Sequence, residues 1–191
     1  MKNTLITVGV IAALAIMFFA WANNVYDRAI RLQEATNKSW SNVQSSYQRR
    51  ADLVPQLVAT VKGAAENEQT ILREVTQARA GIVNAQNPED LELMGKKINT
   101  AINLAFEAYP EIRSTQNFAA LQQQLEGTEN RINVERNNYN ESVSSYNTHV
   151  RGVFRKMAIG ILGSSADFQP KKGFEAVTEG ADQAPEVNFS K

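Results

Sequence analysis

Cysteine is absent from the 191 residues, which excludes a disulfide scaffold, a zinc finger, a thiol enzyme and a lipidated cysteine anchor. A single histidine excludes multi-histidine metal sites and imidazole relays. An excess charge of either sign is also missing. Twenty Lys and Arg balance twenty Asp and Glu, so nothing in the total draws the chain to nucleic acid, and no nucleic-acid partner is expected. Five prolines and ten glycines are too few for collagen or a turn-rich β-sandwich. The glycines form no G-x-x-x-x-G-K-[ST], G-x-G-x-x-G or G-x-S-x-G motif. These absences remove most familiar enzyme classes, and the length suits one domain.

What the chain does have is an apolar run at its start. From Asn3 to Tyr26 there is no charged side chain, and Thr4 to Ala22 reads TLITVGVIAALAIMFFAWA. Such a segment rises about 28 Å as a helix, close to the thickness of a bilayer's hydrocarbon core. Its Leu, Ile, Val and Phe side chains supply roughly −3 to −5 kcal/mol of insertion energy. Trp21 and Tyr26 stand where amphipathic rings suit the headgroup layer. Residues 4–22 are therefore expected to contact membrane lipid. Ala20-Trp21-Ala22 would suit signal cleavage, but the apolar run is longer than a signal's, and a retained anchor is favoured. Lys2 alone precedes the span, whereas Arg28, Arg31 and Lys38 follow it. That asymmetry places the C-terminal part in the cytoplasm. A periplasmic or extracellular placement is the alternative, because long domains cross regardless of charge.

Beyond the span, apolar positions recur at helical spacing. Trp40, Val43, Tyr47, Arg50, Val54, Leu57, Val61, Ala64, Glu68, Ile71, Val75, Ala78 and Ile82 step alternately by three and four. That is the seam of a coiled coil or a bundle of long helices. The phase persists across Pro55, so one kinked helix from Asn23 to Val83, about 90 Å long, is expected. The alternative is a restart with Asp52 as N-cap and Pro55 in the first turn. Asn87-Pro88-Glu89-Asp90 is a helix start: a capping Asn, Pro at the first helical position and two acids in the first turn. Leu91, Met94, Ile98, Ala101, Ala105 and Ala108 carry that helix's seam until Tyr109-Pro110 ends it. A third helix is expected from Ser114 or Thr115, with Phe118, Leu121, Leu125, Thr128, Ile132, Glu135 and Tyr139 on its seam. Tyr139-Asn140 and Tyr146-Asn147 then repeat seven residues apart, on one side of that helix. Met157 to Leu162 is read as packing on a bundle end.

The fold class expected is all-α: an N-terminal transmembrane helix followed by an antiparallel bundle of long helices. Residues 1–26 form the anchor and residues 27–163 the bundle. Residues 164–191, without periodicity and with five acids against three lysines, form a weakly ordered tail whose spaced phenylalanines could dock.

Several landmarks agree with a known family. Trp40 is followed by Arg49-Arg50-Ala51-Asp52-Leu53-Val54-Pro55-Gln56-Leu57-Val58, then Val61-Lys62-Gly63 and Glu68. Further on stand Tyr109-Pro110, Phe118, Leu121, Leu125, Glu129, Arg131-Ile132, Arg136, Tyr139-Asn140 and Tyr146-Asn147. Over residues 23–168 this order resembles the LemA family. One position departs: family members often carry a proline near Phe154-Arg155, and arginine there permits the helix to continue. The resemblance implies a bacterial, single-span inner-membrane protein with a helical bundle, and no settled enzymatic activity.

Arg49, Arg50, Asp52 and Pro55 admit two readings. One is a binding patch at the kink. The other, favoured, is that Arg50 leaves the seam to pair with Glu135 or Glu129 and fixes register. Glu68 and Glu135 are seam carboxylates, but bundle metal sites use Glu-x-x-His, and Tyr146, not a glutamate, lies three before His149. No metal or cofactor is expected. Tyr139 and Tyr146 read as core aromatics that mark register, and His149 as a solvated flank residue. The resulting expectation is a non-enzymatic scaffold or interaction protein that forms homo-oligomers or binds an unidentified protein partner. The alternative is an enzyme or small-ligand binder with its site near Arg49, Arg50, Asp52 and the tyrosines.

Overall fold

A computed structural model describes residues 2–59, 65–108, 116–163 and 165–175. Helix α1 runs from Lys2 to Ala59. It is followed by α2 (Ala65–Asn84), α3 (Pro88–Ala108), α4 (Gln116–Arg151), α5 (Val153–Leu162) and a 3-10 turn, Ser165–Asp167. The described chain is all-α.

Helix α1 has two unlike parts joined without a break. Residues 2–21 are exposed, and they contain the one helix stretch among the described residues that is long and apolar enough to cross a membrane. Packing begins at Ala22. From there α4 runs antiparallel to α1, as fixed by Val25 opposite His149, Thr36 opposite Ser142 and Arg50 opposite Leu125. Ala22, Ala29, Thr36, Val43, Arg50 and Leu57 are each seven residues apart, so one face of α1 is presented along its length.

The continuous rod from Asn23 to Val83 does not form. Pro55 stands inside α1, with no restart at Asp52, but the helix ends at Ala59 and the chain comes back along itself. Gln44 Nε2 donates to the Ile82 and Ala85 carbonyls at 2.9 and 3.2 Å, and Asp52 meets Arg79 at 2.9 Å. Rising numbers on one helix thus meet falling numbers on the other. An unbroken apolar phase fixes which side of each helix is buried, and it is the same whether the second helix extends or folds back. Val61 and Ala64 lie outside the described residues.

The turn into α3 carries its cap where the sequence placed it. Asn87 Oδ1 accepts from the Asp90 amide at 2.8 Å, and Asn87 Nδ2 donates to Asp90 Oδ2 at 2.8 Å. Helix α3 ends at Ala108, and the Tyr109-Pro110 stop lies outside the described residues. Helix α4 ends at Arg151, and the chain bends at Gly152 rather than near Phe154-Arg155, which are both inside α5. Residues 165–175 return as a strap between α1 and α4. Gln33 reaches the Asp167 carbonyl, and Phe168 and Phe174 are buried. The remainder of the tail, 176–191, is outside the described residues.

Two apolar clusters result. The larger unites all four long helices through Val43, Leu57, Ile71, Ile82, Leu91, Ile98, Leu125 and Ile132. Each such side chain contributes about 1.5–3 kcal/mol by leaving water. The smaller lies nearer the apolar end of α1. There Ala22, Val25 and Ala29 meet Tyr146, Val150, Ala158, Ile159 and Phe168.

Candidate functional site

The charges around Pro55 diverge. Arg49 is exposed. Asp52 faces α2 in its pair with Arg79, where both side chains are about half exposed and contribute little. Arg50 alone turns inward. Its Nη1 lies 3.0 Å from Glu129 Oε2 and donates to the Leu125 carbonyl at 2.8 Å. Its Nε donates to Asn99 Oδ1 at 3.0 Å. One guanidinium thereby ties α1 to both α3 and α4. Burial pulls its pKa down and the Glu129 carboxylate opposes that, but an arginine stays charged throughout.

The remaining expected positions are dispersed. Glu135 is buried on α4 and pairs at 2.9 Å with Arg131 of its own helix, not with Arg50. Glu68 lies in α2, and its side chain is outside the described residues. Tyr139 packs between Trp40 and Phe174, with centroids 5.2 and 5.5 Å away, and its hydroxyl donates to the Lys172 carbonyl at 3.1 Å. Tyr146 is fully buried, and its hydroxyl has no hydrogen-bond partner among the described residues. Burial raises the pKa of both phenols.

Arg50 forms the floor of a groove. Helices α1, α2 and α3 touch in every pair, and α1 touches α4, but the backbones of α3 and α4 do not approach within 8 Å among the described residues. The gap between them is bridged by side chains. Arg136 of α4 pairs with Glu92 of α3, and Arg50 reaches Asn99. Gly95 lets α3 lie against the Tyr47 ring, where a Cβ would come within 2.5 Å. Farther along, a cavity of about 500 Å³ opens between α3 and α4, lined by Arg50, Ile102, Phe106, Gln122, Leu125 and Glu129. Its walls are apolar and its rim is charged. The opposite end of the groove is filled. Phe174 lies against Trp40 and Tyr139, the Arg136 guanidinium sits 4.7 Å over its ring, and Lys172 pairs with Glu89.

Two asparagines hold that filling in place; the sequence showed them as a Tyr-Asn repeat, without this role. Asn140 Oδ1 accepts from the Phe174 amide at 2.7 Å, and its Nδ2 donates to the Phe174 carbonyl at 3.0 Å. Asn147 does the same at Lys171, at 2.9 and 2.8 Å. Seven residues of helix rise about 10 Å, and three residues of extended chain span about the same. The heptad echo of Tyr-Asn pairs is thus a ruler matched to an extended strand: the tyrosines go to the core and the asparagines to the strap. The seven-residue repeat was the signal that could have found this role.

His149 is buried, not solvated on the helix flank. Its Nε2 lies 2.9 Å from the Val25 carbonyl, an acceptor, which assigns the proton to that nitrogen. Burial lowers its pKa from the ordinary 6.5. The Val25 hydrogen bond opposes this, and the nearby Arg155 and Arg28 reinforce it. Among the described residues, no three His, Asp or Glu side chains group as metal ligands would.

Comparison with known proteins agrees with this layout. "Protein LemA" from Metamycoplasma hominis is 22% identical over 144 residues. The match covers 73% of this chain and 65% of that relative's length, so the chain spans less than two thirds of the relative. The sequence profile of the LemA family matches residues 39–189, from just before Trp40 in α1, through the four-helix core and α5, to beyond the strap. The chain belongs to the LemA family.

Proposed function

We propose that this protein is a non-enzymatic, membrane-tethered interaction protein of the bacterial inner membrane. Residues 4–22 of α1 form the tether and the bundle presents a docking groove to a second copy or to an envelope protein. The observation that carries this reading is the groove between α3 and α4. Among the described residues α4 meets the backbone of α1 but of neither α2 nor α3, and the gap between α3 and α4 has Ile102, Phe106 and Leu125 on its walls, Arg50 at its floor and Glu126 and Glu129 at its edges. Helix interfaces select partners through such mixtures of apolar contact and placed charge. The excess of Lys and Arg after the span favours a cytoplasmic bundle, which protease accessibility in intact spheroplasts tests.

Light scattering on the detergent-solubilised chain tests the groove. Concentration-dependent association that is lost in Gln122→Arg/Glu126→Arg supports it, because both positions are exposed and outside the core. A monomer at all concentrations, together with unchanged partner capture by the variant, refutes it. A second reading, a small-ligand site, draws on the same cavity, whose volume of about 500 Å³ lies in the range of ligand pockets. It requires a metabolite that raises the melting temperature of the chain and not that of the variant.

A further inference from the structure

Helix α5 has two apolar faces, and the bundle covers only one. Ala158 and Ile159 are buried against α1 and the end of α4. Val153, Phe154, Met157 and Ile161 lie on the other side, 55–76% exposed. At 100° per residue these four fall within somewhat more than a quarter of the helix circumference, turned away from Ile159, with Ala158 at the edge beside Phe154. Exposed large apolar side chains grouped on one face call for a partner.

Where α5 sits identifies that partner. Near its start, Arg155 lies with Trp21, Asn24, Val25 and Arg28 of α1, around one cavity. Just past its end, Gly163 lies against the Tyr26 ring. Both ends of α5 thus meet the same short stretch of α1, although the helix itself advances about 15 Å. Therefore α5 crosses α1 instead of following it, at the level where the exposed apolar stretch of residues 2–21 gives way to the packed bundle. Its charge fits the same place. Between Glu141 and Asp167 there is no acidic side chain, whereas Arg151, Arg155 and Lys156 cluster around the start of α5.

We propose that α5 is an in-plane membrane helix. Its Val153, Phe154, Met157 and Ile161 face lies in the boundary between headgroups and acyl chains of the leaflet from which α1 emerges, with the exposed Arg151 and Lys156 against anionic lipid phosphates. A short amphipathic helix with basic flanks binds an interface in this way, by buried apolar area together with attraction to anionic lipid. The span then acts with a second contact, so the bundle is held at a fixed height and orientation over the bilayer instead of swinging on one helix. This rests on the reading of residues 4–22 as a membrane anchor.

The absence of cysteine gives a direct test. Single variants Phe154→Cys, Met157→Cys and Ile161→Cys each carry one environment-sensitive fluorophore in the full chain. The chain is reconstituted in vesicles of phosphatidylcholine and phosphatidylglycerol in equal parts. Val10→Cys reports the anchor, and Asn133→Cys, exposed on α4, reports water. The α5 labels are expected to shift to the blue and to lose emission when nitroxide-labelled lipid is added, as Val10→Cys does and Asn133→Cys does not. In vesicles of phosphatidylcholine alone, the α5 labels are expected to lose part of that quenching. Aqueous emission from all three α5 labels, with the Val10 label in lipid, overturns the proposal and leaves the anchor standing. Aqueous emission from Val10 as well overturns both. Blue-shifted α5 emission that nitroxide lipid leaves untouched means that protein covers the face, and also overturns the proposal.

Discussion

The two apolar clusters solve the same packing problem with different means. In the larger one, α1 packs against each of the other three long helices, and fully buried Leu57, Ile82, Leu91 and Ile98 fill the space with aliphatic bulk. In the smaller one only α1 and α4 continue. Two helices leave flanks open to water, and those flanks are closed by α5 and by the strap. Small residues on α1, Ala22 and Ala29, leave room for Tyr146 and Phe168. Polar side chains then set the geometry. Thr36 Oγ1 lies 2.8 Å from the Leu32 carbonyl of its own helix and 3.3 Å from the Ser142 carbonyl across the interface, His149 holds Val25, and Asn147 holds Lys171. The lesson is that aliphatic bulk fills most of the space where four helices gather, while the polar bridges of Arg50 and Arg136 lie at the α3–α4 gap. A two-helix ribbon relies instead on directional bonds and added cover along its length.

If that contrast is right, truncating the large cluster should cost most. Ile98→Ala, at a fully buried position, should destabilise the chain by about 2–5 kcal/mol, read as a lower denaturant midpoint in detergent. A midpoint near wild type would show that the four-helix core is loosely packed. Next comes Gly95→Ala, which drives a methyl group into the Tyr47 ring. A loss of about 1–3 kcal/mol is expected, reduced when Tyr47→Leu is added. In the small cluster, Asn147→Ala removes two bonds to the strap and should cost about 1–2 kcal/mol. That loss should be local: hydrogen exchange at residues 171–174 should quicken while α2 and α3 keep their protection. Uniform loss of protection would erase the distinction between the clusters.

Two smaller effects sharpen it. Tyr146→Phe removes a buried hydroxyl that has no partner among the described residues, so stability should hold or rise by up to about 1 kcal/mol. A clear loss would mean that the hydroxyl is bonded in solution. The smallest effect is expected on acidification. His149 has a folded-state pKa below the ordinary 6.5, so the unfolded chain takes up a proton that the folded chain resists. Stability is therefore full above about 6.5 and is lost as the pH falls toward the folded-state value, with no further loss from this group below it. His149→Gln should flatten that part of the melting-temperature profile.

Much of this architecture was legible in the sequence. Val43, Tyr47, Val54 and Leu57 on α1, and Leu121, Leu125, Ile132 and Tyr139 on α4, lie buried on the faces their spacing assigned. Asn87 announced its cap. Direction was not legible, because three-four stepping is blind to a reversal, and so the fold-back of α2 was missed. Arg50 could be placed on a seam, yet its choice of Glu129 over Glu135 depends on how far α4 is shifted along α1, which neither helix encodes by itself. His149 was misjudged because its cover comes from Val25 and Arg155, on elements remote in sequence or beyond a bend. The asparagines were visible as a repeat, but their counterpart, residues 171–174, has no periodicity to betray it.

The clamp made by Asn140 and Asn147 grips peptide groups and ignores side-chain identity. Apart from Phe174, whose ring fills the core beside Trp40 and Tyr139, evolution is therefore free to vary the segment it holds, within two bounds that follow from the bonds themselves. Proline is barred at positions 171 and 174, whose amides must donate, though it is welcome at 170, where it stands now. At 173, beside Asn140, a side chain would crowd the clamp, so glycine has no easy substitute. Sequence drift in relatives should be wide here, with a blank at those three places.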